Sequence, residues 1–569
     1  MYTGYRRSER EGCMRFGVRC IAIVVFAAFV SFGCGGDGET IGGGQSGGGE
    51  ENTFIFGRGP DSVSLDPIHQ TDTESRIVIR QIFDGLLDFA PGSTTELIPA
   101  LASEVPEPEE DGTVYTFPLR EGVKFHDGTD FNAEAVVFNF ERWKDTDNEF
   151  HRGGGAQGTN FSYYDSLFGG FDDESVIENV EAVDEYTVRF TLREPQGPFL
   201  KNLATAGFYI ASPEAIRDNV EDFWQEPVGT GAFRFTSWDQ GTTIRLEKFE
   251  DWWGAELSEE EGGGGPYVDN VVFRSIPDNT ARVAALTAGE LSAADGFTPD
   301  DIPTIEERDG LRVENRAPLN VGYMAFNMDR EPFDDPLVRE AISHAINMEE
   351  IVESFFGEIG EVATNPMPSE LPFFNEDVQP YEYDPDRARE LLEEAGMPDG
   401  FETNLYYLPI PRPYLQDSRG IAQAMQRDLE EVGIEAELIT YEFGTYIERT
   451  GRGEHDMALL GWNNVNDGDP DWHLNVLLNS ATATETNAQN ISYYRNPEVD
   501  ELLADARSTV DEGERRDLYY EAQEIIHEDA PMLPIAYVAA PVGLQDTVEG
   551  YVPSPFSDRF NTIRMEGGS

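Results

Sequence analysis

For every basic residue this chain carries nearly three acidic ones, 40 Lys and Arg against 109 Asp and Glu, a formal charge of −69. A surface built from such a chain repels itself, so a fold needs a core large enough to outweigh that repulsion, with the carboxylates turned outward. The material for the core is present, since 39% of the residues are hydrophobic and 11% aromatic, more than a disordered chain carries. The imbalance excludes nucleic acid as a partner, because no basic surface of any extent can displace counterions from phosphates. Only four lysines occur, Lys124, Lys144, Lys201 and Lys248, and none follows a glycine, so a Gly-Lys-Ser/Thr phosphate loop is excluded. Acidity with so little lysine points to a salty medium, where repulsion is screened, that is, to a halophilic protein. A length of 569 residues gives room for two or more domains without metal or disulfide staples.

Arg6, Arg7, Arg10, Arg15 and Arg19 precede or border an apolar run from Ile21 to Phe32. A spanning helix needs about 20 apolar residues, and a run of about 12 has the length of an export signal's core. The run ends at Ser31-Phe32-Gly33-Cys34. Gly33 before Cys34 resembles a lipobox, although an aliphatic and a small residue are usual where Ser31 and Phe32 stand. The resemblance implies a signal peptide over residues 1–33, an acylated Cys34 as the first mature residue, and a Gly-rich flexible tether to residue 52. The mature chain would hold 35 basic and 107 acidic residues, a charge of −72, and a single cysteine, so no internal disulfide can form. This places it outside the cytoplasm, anchored to the membrane in a periplasmic space or on the outer face of the cytoplasmic membrane.

Beyond the tether, alternating segments predict strands over Val114–Arg120, Tyr186–Leu192, Phe233–Trp238, Thr242–Phe249 and Val268–Ile276. Asp335-Pro336, Asp384-Pro385 and Asn496-Pro497 predict helix starts, with the polar residue as cap and proline where its missing N–H costs nothing. The second of these helices closes at Gly396. Strands and helices alternate without a repeat, so the class is α/β or α+β. The acidic, Gly-rich stretch Glu259–Gly265 reads as a surface loop insertion, and no second linker comparable to the tether divides the rest.

Catalytic chemistry is hard to assemble from these residues. Gly44-Gln45-Ser46-Gly47-Gly48 fits the G-x-S-x-G pattern but lies in the tether, away from any strand-to-helix turn. Seven histidines, from His69 to His527, are scattered without the spacing of a zinc site. The segment Asp467-Gly468-Asp469-Pro470-Asp471 lacks the twelve-residue loop and closing Glu of an EF-hand, and reads as a turn. No cofactor, no metal and no enzymatic activity are expected.

Several segments resemble, in order, the family 5 extracellular solute-binding proteins of ABC importers. They are Phe83-Asp84-Gly85-Leu86, the run from Asp111 through Tyr115-Thr116-Phe117 to Phe125-His126-Asp127-Gly128, Pro227-Val228-Gly229-Thr230-Gly231-Ala232-Phe233, Asp251-Trp252-Trp253-Gly254 and Asn320-Val321-Gly322-Tyr323. Read as residues, most of them are core and turns. The resemblance implies an α/β, two-lobed periplasmic binding protein-like fold, type II, with an extra subdomain in lobe I. Lobe I would comprise residues 53–318 and 537–569, and lobe II residues 319–536. A monomer is expected, delivering its solute to a membrane-embedded permease with its ATPase subunits.

Within that family the chain is most similar to the dipeptide-binding proteins, through Arg412-Pro413-Tyr414, Tyr441-Glu442-Phe443-Gly444, Gly453-Glu454-His455-Asp456 and Gly461-Trp462. The resemblance implies that Arg412 pairs with a peptide's terminal carboxylate, a role for which a rigid guanidinium fork is suited. Tyr414 and Trp462 would line the ligand chamber. The relatives place an aspartate for the amine three residues after that tryptophan, where this chain has Val465. One additional residue before Gly468 leaves Asp467 to take the role, or the role is missing. Three readings stay open: a peptide receptor, the same scaffold for a metal chelate, oligosaccharide or opine, and a secreted hydrolase.

Overall fold

A computed structural model describes residues 52–70, 72–153, 161–463, 468–556 and 558–566. The export signal, Cys34, the tether up to residue 51, Val465 and Asp467 lie outside them.

Local chemistry starts the helices where the sequence places them. Asp335 accepts a hydrogen bond from Leu337 N at 2.9 Å, Asp384 from Asp386 N and Arg387 N, and Asn496 from Glu498 N, each just before a proline. The helix Pro385–Glu394 ends as Gly396 N bonds Glu393 O and Met397 N bonds Leu392 O, with Gly396 at a φ of 82° that a side chain would oppose. Strands Val114–Pro118, Thr187–Leu192, Phe233–Asp239, Thr243–Lys248 and Asn270–Ser275 fall within about two residues of their expected ends.

Two large sheets organise the chain. The first has seven strands in the order Leu311–Arg316, Ala540–Gln545, Ala293–Asp295, Thr53–Arg58, Asn270–Ser275, Thr243–Lys248, Phe233–Asp239. The second has six, Gly360–Val362, Met532–Val538, Asn320–Phe326, Met457–Asn463, Phe401–Tyr406, Ile434–Ile439. Every strand of the first sheet comes from before residue 317 or after residue 539, and every strand of the second from between. The chain therefore passes between the two sheets twice, at residues 317–319 and at Ala539. A three-stranded sheet of Val114–Pro118, Thr187–Leu192 and Ile177–Asp184 forms a subdomain of the first lobe. The fold is α/β and two-lobed.

The segments that carry the family resemblance meet in space. The Asp84 carboxylate accepts from Thr230 Oγ1 at 3.0 Å and Trp253 Nε1 at 2.9 Å, and Arg559 bridges it to Asp88. His126 N donates to Gly229 O at 2.9 Å, and its ring nitrogen Nε2 lies 2.9 Å from Gly231 O. Gly229 and Gly231 are required here because a Cβ at either would fall 2.3–2.6 Å from the carbonyls of Ile82 or Gln81. These residues build scaffold, joining the chain's beginning to its end. At the first crossing, Arg316 is buried against Asp558, which also accepts from Tyr551, so the C-terminal segment pins the end of the strand Leu311–Arg316.

Two sequence expectations need correction. Glu259–Glu261 are exposed as expected of a loop, but Gly263 and Gly264 are buried and their carbonyls both accept from Asn561 Nδ2 at 3.0 Å. The stretch is a docking strap for the C-terminus. The acidic run ending at Asp471 is no plain turn, because Asp469 caps the helix Pro470–Leu478 and is itself buried. Asp469 pairs with Arg515 at 2.8 Å and with Lys201 of the first lobe at 3.6 Å, while Asp471 pairs with Arg507 at 2.9 Å. Burial opposes the Asp469 charge, yet Arg515 and Lys201 hold its carboxyl below the ordinary range.

Candidate functional site

A cavity of about 580 Å³ lies between the lobes. The first lobe contributes Pro60, beyond the strand Thr53–Arg58, and Asp72, Thr73 and Glu74 at the start of the helix Thr73–Ile82. The second lobe contributes Arg412, Pro413, Tyr414, Tyr323, Trp462 and Phe443 among others. The volume is within the range of about 300–1,000 Å³ common for small-ligand sites.

A pair of facing glycines seats the arginine loop. In the second sheet Gly322 stands opposite Gly461, and Tyr414 occupies the space their missing side chains leave. A Cβ on Gly461 would fall 2.2 Å from the Tyr414 ring, and one on Gly322 would fall 2.6 Å from Tyr414 O. The loop itself is tight: Arg412 N donates to Leu415 O at 3.2 Å and Leu415 N to Arg412 O at 3.0 Å. Prolines on both sides of Arg412 stiffen it further.

Arg412 holds its guanidinium 4.2 Å from the centre of the Phe443 ring, a cation–π contact that supports a charge without neutralising it. Among the described residues it forms no ion pair, and its Nε is buried without a hydrogen-bond partner. Trp462 Nε1 and the Tyr323 hydroxyl are likewise buried and unpartnered. Burial raises the Tyr323 and Tyr414 hydroxyls above the ordinary phenol range, so both remain protonated donors at neutral pH. The second-lobe side of the cavity thus carries polar groups that no partner among the described residues satisfies.

Arg412, Tyr414 and Trp462, the residues singled out by sequence, line one cavity. Asp467 lies outside the described residues. Sequence reasoning missed Tyr323 and Glu74 as lining residues. Tyr323 sits in a strand whose every residue is buried, so its pattern reads as core, and Glu74 is one carboxylate among many.

The histidines add no candidate site. His455 and His473 are buried, and burial lowers them to about 4 and about 3, so both are neutral at physiological pH. Among the described residues no group of three His, Cys, Asp or Glu is placed to hold a metal, and no helix is long and apolar enough to cross a membrane.

Two α/β lobes, joined by two crossings, face each other over this cavity, the architecture of a two-lobed binding protein. Residues 96–485 match the Bacterial extracellular solute-binding proteins, family 5 Middle, and the chain belongs to that family. It is 34% identical over 497 residues to the dipeptide-binding protein of Escherichia coli, covering 85% of this chain and 89% of that one. It is 32% identical over 529 residues to heme-binding protein A of Haemophilus influenzae, covering 91% and 93%. An ABC transporter-associated periplasmic binding protein from Helicobacter pylori, solved in complex with the peptide STSA, matches with a TM-score of 0.73 at 34% identity, over 91% of this chain and 99% of that one.

Proposed function

We propose that this protein is an extracytoplasmic receptor that captures dipeptides or short oligopeptides and hands them to the permease of an ABC importer. The observation that carries the reading is Arg412. In a chain with nearly three carboxylates per cation, a guanidinium facing an interlobe cavity without an ion pair among the described residues is available for a carboxylate that the ligand brings. In this reading Tyr414 and Trp462 form the walls, tolerating varied side chains through flat contact and water. Asp467 is proposed as a partner for the ligand's amine, or that role is missing from its segment and falls to a carboxylate elsewhere on the cavity. The dipeptide-binding relative and the peptide-bound structural neighbour support a peptide ligand.

The lobes are proposed to close over the ligand about residues 317–319 and Ala539, the two places where the chain passes between sheets. Cys34 is proposed to carry the lipid that keeps the receptor beside its permease, and the protein is proposed to act as a monomer without catalysis. Native mass spectrometry of protein purified from its own host tests the reading. A co-purified peptide is expected, whereas a co-purified heme, sugar or opine would replace the peptide assignment. Release of cleaved products from a peptide mixture would overturn the receptor reading altogether.

A further inference from the structure

The cavity is polarised. On the second-lobe side the groups without a partner among the described residues, Arg412 Nε, Trp462 Nε1 and the Tyr323 hydroxyl, can all donate. On the first-lobe side its charged groups, Asp72 and Glu74, are both carboxylates. The two acids are not equivalent. Asp72 is occupied as a helix cap, accepting from Ser75 N and Ser75 Oγ, both at 2.7 Å. Glu74 forms no ion pair through its carboxylate among the described residues, and its backbone carbonyl, not its side chain, receives Arg58 and Ser62. Arg58 is already paired with Asp61 at 2.9 Å.

We infer that Glu74 is a cation anchor contributed by the first lobe, binding the ligand's ammonium while Arg412 of the second lobe binds its carboxylate. The inference rests on the peptide-receptor reading and deepens it, because it makes the preferred ligand a zwitterion that bridges both lobes. Dimensions agree: a compact space of 580 Å³ is about 10 Å across, and an extended chain advances about 3.3–3.6 Å per residue, so two or three residues span it. The charge state agrees as well. Burial, with Asp295 and Asp72 nearby, raises the Glu74 carboxyl above its ordinary range although its own backbone N–H and Arg58 act the other way, and an arriving ammonium would relieve that burden. A ligand held at opposite ends by opposite lobes would also favour the closed arrangement, since each anchor then draws its own lobe toward the other.

The test is calorimetry on the full mature chain with the tightest binder from a panel of free dipeptides and with its N-acetyl form. Wild type is expected to prefer the free amine. Glu74→Gln is expected to weaken the free dipeptide by roughly 10- to 100-fold, the loss of one charged hydrogen bond, and to leave the N-acetyl form nearly unchanged. Glu74→Asp, which keeps the charge, is expected to retain the preference. A Glu74→Gln protein with a lowered Tm but an unchanged ratio of free to acetylated affinity would overturn the inference, because Glu74 would then serve only its helix N-terminus. Loss of amine preference in Asp467→Asn but not in Glu74→Gln would overturn it too, while leaving the peptide reading intact. Failure of wild type to bind any dipeptide would overturn both.

Discussion

Replacing Gly461 by alanine tests how the arginine loop is held. The new Cβ would lie 2.2 Å from Tyr414 Cδ2, 2.5 Å from its Cγ and 2.6 Å from Val321 O. The carbonyl belongs to the neighbouring strand and resists displacement, so the two strands must part locally and the Tyr414 ring must retreat by more than about 1 Å to reach ordinary contact distance, and Arg412 moves with it. Forcing a methyl into a packed site costs about 1–3 kcal/mol, which predicts a Tm lower by a few degrees. Displacing a charge by about 1 Å from its partner predicts roughly a 10- to 100-fold weaker Kd for a dipeptide. Gly444→Ala is the control, because its Cβ would come no closer than 3.4 Å to Glu442 Oε2 at an exposed helical position, and it is expected to be neutral or slightly stabilising. Thermal melts and calorimetry on both variants decide. Wild-type affinity and Tm in Gly461→Ala would refute the account of how the loop is seated.

The formal charge of −69 predicts a Tm that rises as salt is added to the molar range, where the Debye length falls to about 3 Å from about 30 Å at 0.01 M; a flat response would remove the halophilic interpretation. Cys34→Ser is expected to release the protein from membranes, and recovery of the wild type as a soluble protein starting at another residue would refute lipidation. Stability is expected to decline from about pH 6.5 toward pH 4. His455 and His473 are lowered to about 4 and about 3 in the fold, so the unfolded chain takes up protons first as pH falls. Equilibrium urea unfolding across that range checks this, and a His455→Gln, His473→Leu double variant that keeps the wild-type slope would contradict it.

What could be read from the sequence was local or carried by several motifs in register. Asp335, Asp384 and Asn496 announce their helices because a cap and a proline act within one turn. The alternation of Tyr115 and Phe117 likewise marks a strand with one buried face. Asp84 was legible as part of a motif, but its partner Arg559 is 475 residues away, and no local pattern reports such a contact. Asp469 reads as a turn residue because Asp before Pro favours turns as well as caps. Its burial depends on Arg515 and Lys201, which only the tertiary fold brings near. The cavity's polarity was hidden for a different reason. Glu74 is chemically indistinguishable from the other carboxylates until the fold places it on the cavity without an ion pair among the described residues.

The central claim is that Arg412 receives a carboxylate from a peptide. Calorimetry of wild type and Arg412→Ala with a free dipeptide and its C-terminal amide tests it most directly. Truncating one partner of a desolvated charge pair costs roughly 2–5 kcal/mol, and a micromolar ligand has only about 8 kcal/mol in total. The free dipeptide is therefore expected to bind wild type and to lose measurable binding in Arg412→Ala, with the amide failing on both proteins. Undiminished binding of the amide to wild type, or of the free dipeptide to Arg412→Ala, would contradict the account.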